Sequence, residues 1–387
     1  MRHSKGLCAA IAVIVALCPL LQACGSYEEV ENLVFIDALA VDRAPNGKYM
    51  VTAEATTSSG GGAEAKVEPR YLEANGDTIA DAMENLQSFS VKELFWSHTE
   101  LIIISQDVAR NDMSEVLDTM MRMPKIRLSM AIIVSKEATA REVLEAENPT
   151  GQPNGPHIMS ALRAQKLLGK APYTQLFELI DSIKSQGIES VVALVGLSEV
   201  NKKTEVILSG AAVFHSQWMQ GFLDENDTRT FLMASGRVTR TVIPLPSDPG
   251  GKFTDATVEV NTKRTSMTTG FAEGRPWCEI GIEANITLLS IDGASTDQKD
   301  FEKTMDAVMI NASTAIENAV RAMLEKAKGL NSSDILAVGS RIMDEHPDAW
   351  RQISGQWNDL YRQLDVRVWT NLKLQGTQQS AQPVAGR

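Results

Sequence analysis

The sequence predicts a mixed α/β (α+β) protein of three consecutive domains, the last with antiparallel strands and a long amphipathic helix. Three observations carry this. Short β-rich runs alternate with helical patterns through the first part of the chain. A segment with two prolines and two glycines, Asn148 to Gly155, interrupts them as a linker or seam. A one-sided apolar pattern then runs unbroken through Gln298–Lys328, at spacings of three and four. The boundaries are set at 24–147, 148–203 and 204–375, preceded by a signal segment at 1–23 and followed by a polar, disordered tail at 376–387.

In chain order, Leu33 to Val41 reads as a buried strand, and Tyr49 to Ala55 as an alternating one, joined by the turn signal Asn46-Gly47. Thr57 to Ala63 holds three glycines and reads as a flexible loop. No helix opens after it, so it is a poor phosphate cradle. Asp77 to Phe89 is a helix with Asp77 as its cap and Ile79, Met83, Leu86 and Phe89 on one face. Glu100 to Ser105 should lie centrally in a sheet. Val108 to Met121 reads as one helix stopped by Pro124, Leu128 to Val134 as a buried strand, and Thr139 to Ala146 as a short helix. Helices are expected around Ile158–Leu168 and Thr174–Lys184, and strands at Val191 to Val195 and Glu205 to Phe214. Pro244 to Gly251 reads as a turn-rich break. Ala256–Arg264 and Glu279–Ile291 alternate as antiparallel strands. Asp297 can cap the long helix, whose stripe includes Phe301, Met305, Val308, Ala312, Ile316, Val320 and Met323. A helix from Ser333 to about His346, another carrying Trp350, Ile353, Trp357 and Leu360, and a strand at Leu364 to Leu374 complete the chain.

The first 24 residues form a lipoprotein signal. Arg2 and Lys5 make a positive start, Leu7 to Leu21 an apolar stretch of 15 residues, and Leu21-Gln22-Ala23-Cys24 a lipobox. The stretch is shorter than the roughly 20 residues that span a bilayer. Cleavage before Cys24 and acylation of its thiol would leave the protein anchored to a membrane by its first residue. The alternative is an ordinary secretory peptide cut near Ala23, with Cys24 incidental.

Removing Arg2 and Lys5 leaves 35 basic against 49 acidic residues, a net charge near −14. An acidic surface does not suit nucleic acid, so no nucleic-acid partner is expected. Of the four cysteines, Cys8 and Cys18 leave with the signal and Cys24 is modified. Cys278 alone remains, and no intramolecular disulfide forms.

No catalytic constellation emerges. Gly-x-Ser-x-Gly, His-Glu-x-x-His, phosphate-loop and paired-cysteine patterns are absent, and His98, His157, His215 and His346 are scattered. No metal, cofactor or catalytic residue is expected. Cys278 should be a packed thiol, His215 a strand-end surface residue, His346 a helix-boundary residue, and Asp224-Glu225 a solvated face. In Leu94-Phe95-Trp96-Ser97-His98, Phe95 and Trp96 read as core or interface aromatics. His98 reads as a hydrogen-bonded residue at a strand entry, because one histidine does not make a site.

After the lipobox come Glu29-Val30-Glu31-Asn32-Leu33, Ile36-Asp37-Ala38 and Gly47-Lys48-Tyr49, then Leu94 to His98 with its isoleucine run. Pro124 to Leu128, Leu208 to Phe214, Gly221 to Glu225, Ser333-Asp334-Ile335 and Pro347 to Trp350 follow. In this order the segments together resemble the Ger(x)C lipoproteins, the C subunits of bacterial spore germinant receptors, though the Trp-Asp pair of that family's start is missing here. The likeness spans nearly the whole mature chain.

The resemblance implies a non-enzymatic subunit, three α/β domains long, lipid-anchored through Cys24 on the outer face of the spore inner membrane. It makes 148–203 the middle part of the N-terminal germinant-receptor region. Its implied partners are a membrane subunit with a large soluble domain (A) and a transporter-like membrane subunit that binds nutrient (B), with Phe95, Trp96 and His98 as possible interface residues. No catalytic residue carries over. The alternative is a lipoprotein solute-binding module of a transporter, for which the long helix and the helices after it fit poorly.

Overall fold

Leu101–Ile104 is apolar and buried at every position, as a strand covered on both faces requires, and a sheet has grown around it. A computed structural model of the chain describes residues 30–59, 66–148, 151–200, 202–272, 274–294 and 298–377. The lipobox with Cys24, the triple glycine, the Asp297 cap and the tail from 378 onward lie outside the described residues.

The first sheet contains β1 (Leu33–Arg43), β2 (Tyr49–Ser59), β3 (Lys66–Gly76), β4 (Glu93–Phe95), β5 (Leu101–Ile104), β6 (Ala131–Ser135), β7 (Val191–Val200), β8 (Lys203–His215) and β9 (Trp218–Leu223). Its order is β3-β2-β1-β5-β6-β7-β8-β9, with β4 beside the start of β1. The centre is parallel, β1 to β5 to β6 to β7, and the two flanks are antiparallel hairpins. The expected divisions at 147/148 and 203/204 both fall inside this sheet. Thr57 to Ser59, expected in a loop, belong to β2, and Pro69 sits opposite Thr56 on β3. That proline is tolerated because β3 is an edge strand, where a missing N–H breaks no inner ladder.

Helices cover both faces. On one lie α1 (Ile79–Leu86), α2 (Gln106–Asn111), α3 (Met113–Arg122) and α6 (Leu176–Lys184), packed on Leu39, Val41, Ile102 and Ile132. On the other lie α4 (Ala140–Leu144) and α5 (Asn154–Leu168), packed on Ala38, Ala40, Ile103 and Ile133. Thr78, not Asp77, caps α1. The single helix expected over Val108 to Met121 is two, broken at Asp112, whose backbone leaves the helical region at φ −131°. The break frees the Asp112 carboxylate to meet Arg43 at 2.5 Å.

The second sheet, β10 (Arg240–Leu245), β11 (Asp255–Ala272), β12 (Arg275–Asp292) and β13 (Asp365–Thr377), runs in sequence order. β11 and β12 form a long antiparallel hairpin, as their alternation predicts, while β13 returns parallel to β12. Pro244, read as part of a turn, lies in β10, again an edge strand. Helix α8 (Gln298–Gly329) buries Met305, Val308, Ala312, Ile316, Val320 and Met323 on this sheet, as its stripe requires. α7 (Glu225–Ala234), α9 (Val338–Glu345), α10 (Pro347–Ile353) and α11 (Trp357–Arg362) complete the cover. Ser333 does not start a helix. Asn331, Ser332 and Ala337 all have positive φ, so the chain turns there and α9 begins at Val338.

The core under the second sheet also takes in Val191, Ala211, Val213 and Leu223 of the first, so one hydrophobic interior joins the two sheets. The backbones meet where Gly187, φ +70°, lies against Gly339. A Cβ on Gly187 would sit 2.5 Å from the Gly339 carbonyl carbon, so only glycine fits.

Candidate functional site

β4 and the 3-10 turn after it, Trp96–His98, hold the aromatic segment at the end of the molecule where the described chain begins. β4 pairs in parallel with the first residues of β1, Leu33 opposite Glu93 and Phe35 opposite Phe95. This pairing separates the three expected residues. Trp96 is buried in the core of the first sheet. Phe95 is half-buried, its ring edge-on to Phe35 with centroids 5.4 Å apart. His98 is half exposed, 5.6 Å from the Phe35 ring and 3.4 Å from Asp37. The Asp37 carboxyl accepts a hydrogen bond from the Thr56 hydroxyl. Its pKa is raised by burial, which outweighs that bond and the neighbouring His98.

Threonine, aspartate and histidine thus stand together with the carboxylate in the middle: the Thr56 hydroxyl donates to Asp37 and His98 faces the same carboxylate, so the histidine does not touch the hydroxyl as it would in a nucleophile–histidine–acid triad. The cluster is a latch between β1, β2 and the turn, with Phe95 and His98 toward solvent and Trp96 as its root.

The other buried charges are also structural, and they follow one pattern in which a carboxylate receives two backbone N–H groups at a helix start. Asp42 takes those of Ala140 (2.6 Å) and Arg141 (3.0 Å) at α4. Glu54 takes those of Asn154 (2.7 Å) and Gly155 (2.6 Å) at α5. Asp334 takes those of Val338 (2.9 Å) and Gly339 (2.7 Å) at α9, and the Trp357 indole N–H at 3.2 Å. Each fills the role of an N-cap and meets the positive end of the helix dipole. Burial still pushes Glu54 and Asp334 up to about 7. Asn154 and Gly155, expected in a linker, are in this way bound into the first sheet. Sequence reasoning missed Asp42 and Glu54 because they lie 98 to 101 residues upstream of the amides they receive; α5 and α9 have no side-chain N-cap of their own, whereas α4 also has Thr139, which accepts from Glu142 N.

Cys278 is buried, and its thiol is pushed up to about 12 by burial and then by the charges of Asp334, Glu345 and Glu279. It is no nucleophile at neutral pH. His215 does end a strand but is less exposed than expected. It lies 3.0 Å from Glu189, whose carboxylate raises its pKa. His346 stands between α9 and α10, as expected. Asp224 and Glu225 are more than a solvated face: Asp224 caps α7, and Glu225 pairs with Lys170 and Arg229. Among the described residues no group of three or more His, Cys, Asp or Glu side chains could hold a metal ion.

Where α6 faces the second sheet lies an open cleft of about 740 Å³, lined among others by Glu178, Asp181, Arg237, Thr265, Arg341 and Asp344. Arg237 stacks on the Phe231 ring, 5.5 Å from its centroid. The walls mix both signs of charge.

Comparison with known proteins matches both halves of the chain to spore germination proteins. Residues 26–197 match the family described as the spore germination protein N-terminal domain. Residues 209–378 match the family described as spore germination B3/GerAC-like, C-terminal. The chain is 22% identical over 375 residues to spore germination protein B3 of Bacillus subtilis, covering 94% of this chain and 95% of that one. It is 19% identical over 396 residues to spore germination protein KC of the same organism, covering 95% of each. The crystal structure of the GerBC protein superposes with a TM-score of 0.54 at 17% identity, over 87% of this chain and 96% of that one, a likeness of fold.

Proposed function

Because the chain belongs to the GerAC-like family of spore germination proteins, we propose that it is the lipid-anchored, non-enzymatic C subunit of a spore germinant receptor. Its role is receptor assembly in nutrient-triggered germination. One observation carries the reading: the two family halves follow each other in order across the chain, and the first begins two residues after Cys24. Cys24 would carry the lipid and hold the protein on the outer face of the spore inner membrane. The membrane-embedded A and B subunits would be its partners. The half-exposed Phe95 and His98 are available to them, whereas Trp96 supports that surface from below. The Thr56–Asp37–His98 arrangement, the inert Cys278 and the helix-capping carboxylates support a role without catalysis.

Affinity purification of the tagged chain from spore membranes tests the reading. Recovery with the two membrane subunits, and loss of germination when the chain is deleted, are the expected outcomes. Recovery without either subunit would refute it. The open cleft beside Arg237 favours a second reading, a solute-binding module. Calorimetric titration of the chain with amino acids, inosine and sugars separates the two. Binding tighter than about 1 mM, roughly −4.1 kcal/mol, would favour the module.

A further inference from the structure

We infer that the loop between α1 and β4 rests on the membrane: Phe89 and Val91 enter the lipid interface, flanked by Arg70 and Lys92. This rests on the proposed acylation of Cys24. Val91 is fully exposed, and Phe89 is 58% exposed although it follows a helix whose apolar side is otherwise buried. The Phe89 carbonyl accepts a hydrogen bond from Arg70 at 3.0 Å, which keeps a cation beside the ring. Arg70 and Lys92 are both exposed. The loop is therefore a small apolar tip with two basic neighbours on a protein whose net charge, without the signal segment, is near −14 (35 basic against 49 acidic residues).

The path of the chain selects the occupant. Leu33 pairs with Glu93 and Val34 with Leu94, so the first residues of β1 run beside the residues that follow Val91. Cys24 precedes Val30 by six residues, which at ~3.3–3.6 Å each reach at most about 20 Å. An acyl anchor on Cys24 thus keeps this end of the molecule within about 20 Å of the bilayer. An aromatic and a β-branched side chain there find the environment that removes them from water. Lys92 can keep its ammonium at headgroup level while its stem follows the apolar pair. Anionic lipid repels the protein as a whole but attracts this tip, so the anchor and the tip together set one orientation.

The test uses the acylated full chain in vesicles of phosphatidylethanolamine and phosphatidylglycerol with brominated acyl chains. Val91→Cys, and Ile310→Cys on α8 as control, each carry an environment-sensitive fluorophore. Ile310 is 66% exposed, and the native Cys278 is buried, so labelling is specific. Several-fold stronger lipid quenching at position 91 than at 310 is expected. Equal quenching at both positions, or none at 91, overturns the inference. A label at 91 that is shielded from aqueous iodide yet unquenched by lipid also overturns it, assigning the tip to a protein surface. Fatty-acid labelling is scored on the same preparation. An unacylated Cys24 defeats the anchor and the orientation together, whereas an acylated chain with unquenched Val91 defeats the orientation alone.

Discussion

Asp334→Ala should be among the most damaging single substitutions in the second half of the chain. Asp334 is 1% exposed and accepts from Val338 N, Gly339 N and the Trp357 indole, all within 3.2 Å. Its own carbonyl accepts from Glu189 N at 3.0 Å, so the residue ties α9 to the segment entering β7. Alanine would leave three buried donors without an acceptor, each costing about 1–3 kcal/mol. Such losses overlap at one site, so the net expectation is about 3–4 kcal/mol. The effect should also depend on pH. Burial raises the folded pKa to about 7 from an ordinary 3.8. The folded state then binds the proton more readily, and stability from this group is full below pH 4 and falls as pH rises through 7. The gap between wild type and Asp334→Ala should therefore narrow from pH 5 to pH 8. Urea unfolding followed by tryptophan fluorescence reads both quantities, since Trp350 and Trp357 flank the site with centroids 5.4 Å apart. A loss below 1 kcal/mol would refute the capping role, and a gap that widens with pH would refute the raised pKa, because it would mean that the ionised carboxylate is the favoured folded form.

Three further outcomes are expected. Trp96→Ala should lower stability by about 3–5 kcal/mol, because the ring is rooted in the core; an unchanged melting temperature would contradict this. Glu54, also raised to about 7 by burial, should make wild-type stability fall between pH 5.5 and pH 8, and Glu54→Gln should flatten that fall in parallel melts. Cys24→Ala should abolish membrane retention, since each buried acyl CH₂ contributes about 0.8 kcal/mol. Equal incorporation of a fatty-acid probe into variant and wild type would count decisively against the assignment.

Periodic burial was the most legible part of the sequence. The stripe of α8 and the runs of β1, β5 and β12 are written directly in apolar spacing, because each buries one face or both along a regular element. Two kinds of element escaped it. Edge strands β3 and β10 carry prolines and bury little, so their pattern reads as loop. α7 is rich in Asn, Asp and Thr and begins with Asp224-Glu225, so it reads as polar surface until its cap and ion pairs are seen. The parallel return of β13 was also hidden, since pairing partners 80 or more residues apart leave no local trace. At the candidate site the segment Leu94 to His98 was legible, but the division of labour within it was not. Alternation across so short a strand does not tell which aromatic faces inward.

The remote caps on α4 and α5 have a consequence for how the protein acquires its shape. The acceptors for their first N–H groups lie 98 to 101 residues upstream, in β1 and β2. Five residues of α4 are too few to persist in water alone. It should therefore gain its helical form only once the β1–β2 hairpin is in place to receive it. A nascent chain released before Ala140 would present that hairpin with two carboxylates aimed at absent amides, and one released between Arg141 and Asn154 would still leave Glu54 without its own. The N-terminal sheet should then reach protease resistance in a single late step, after α5 has emerged, and slowly, because its closing contacts are so far apart in sequence.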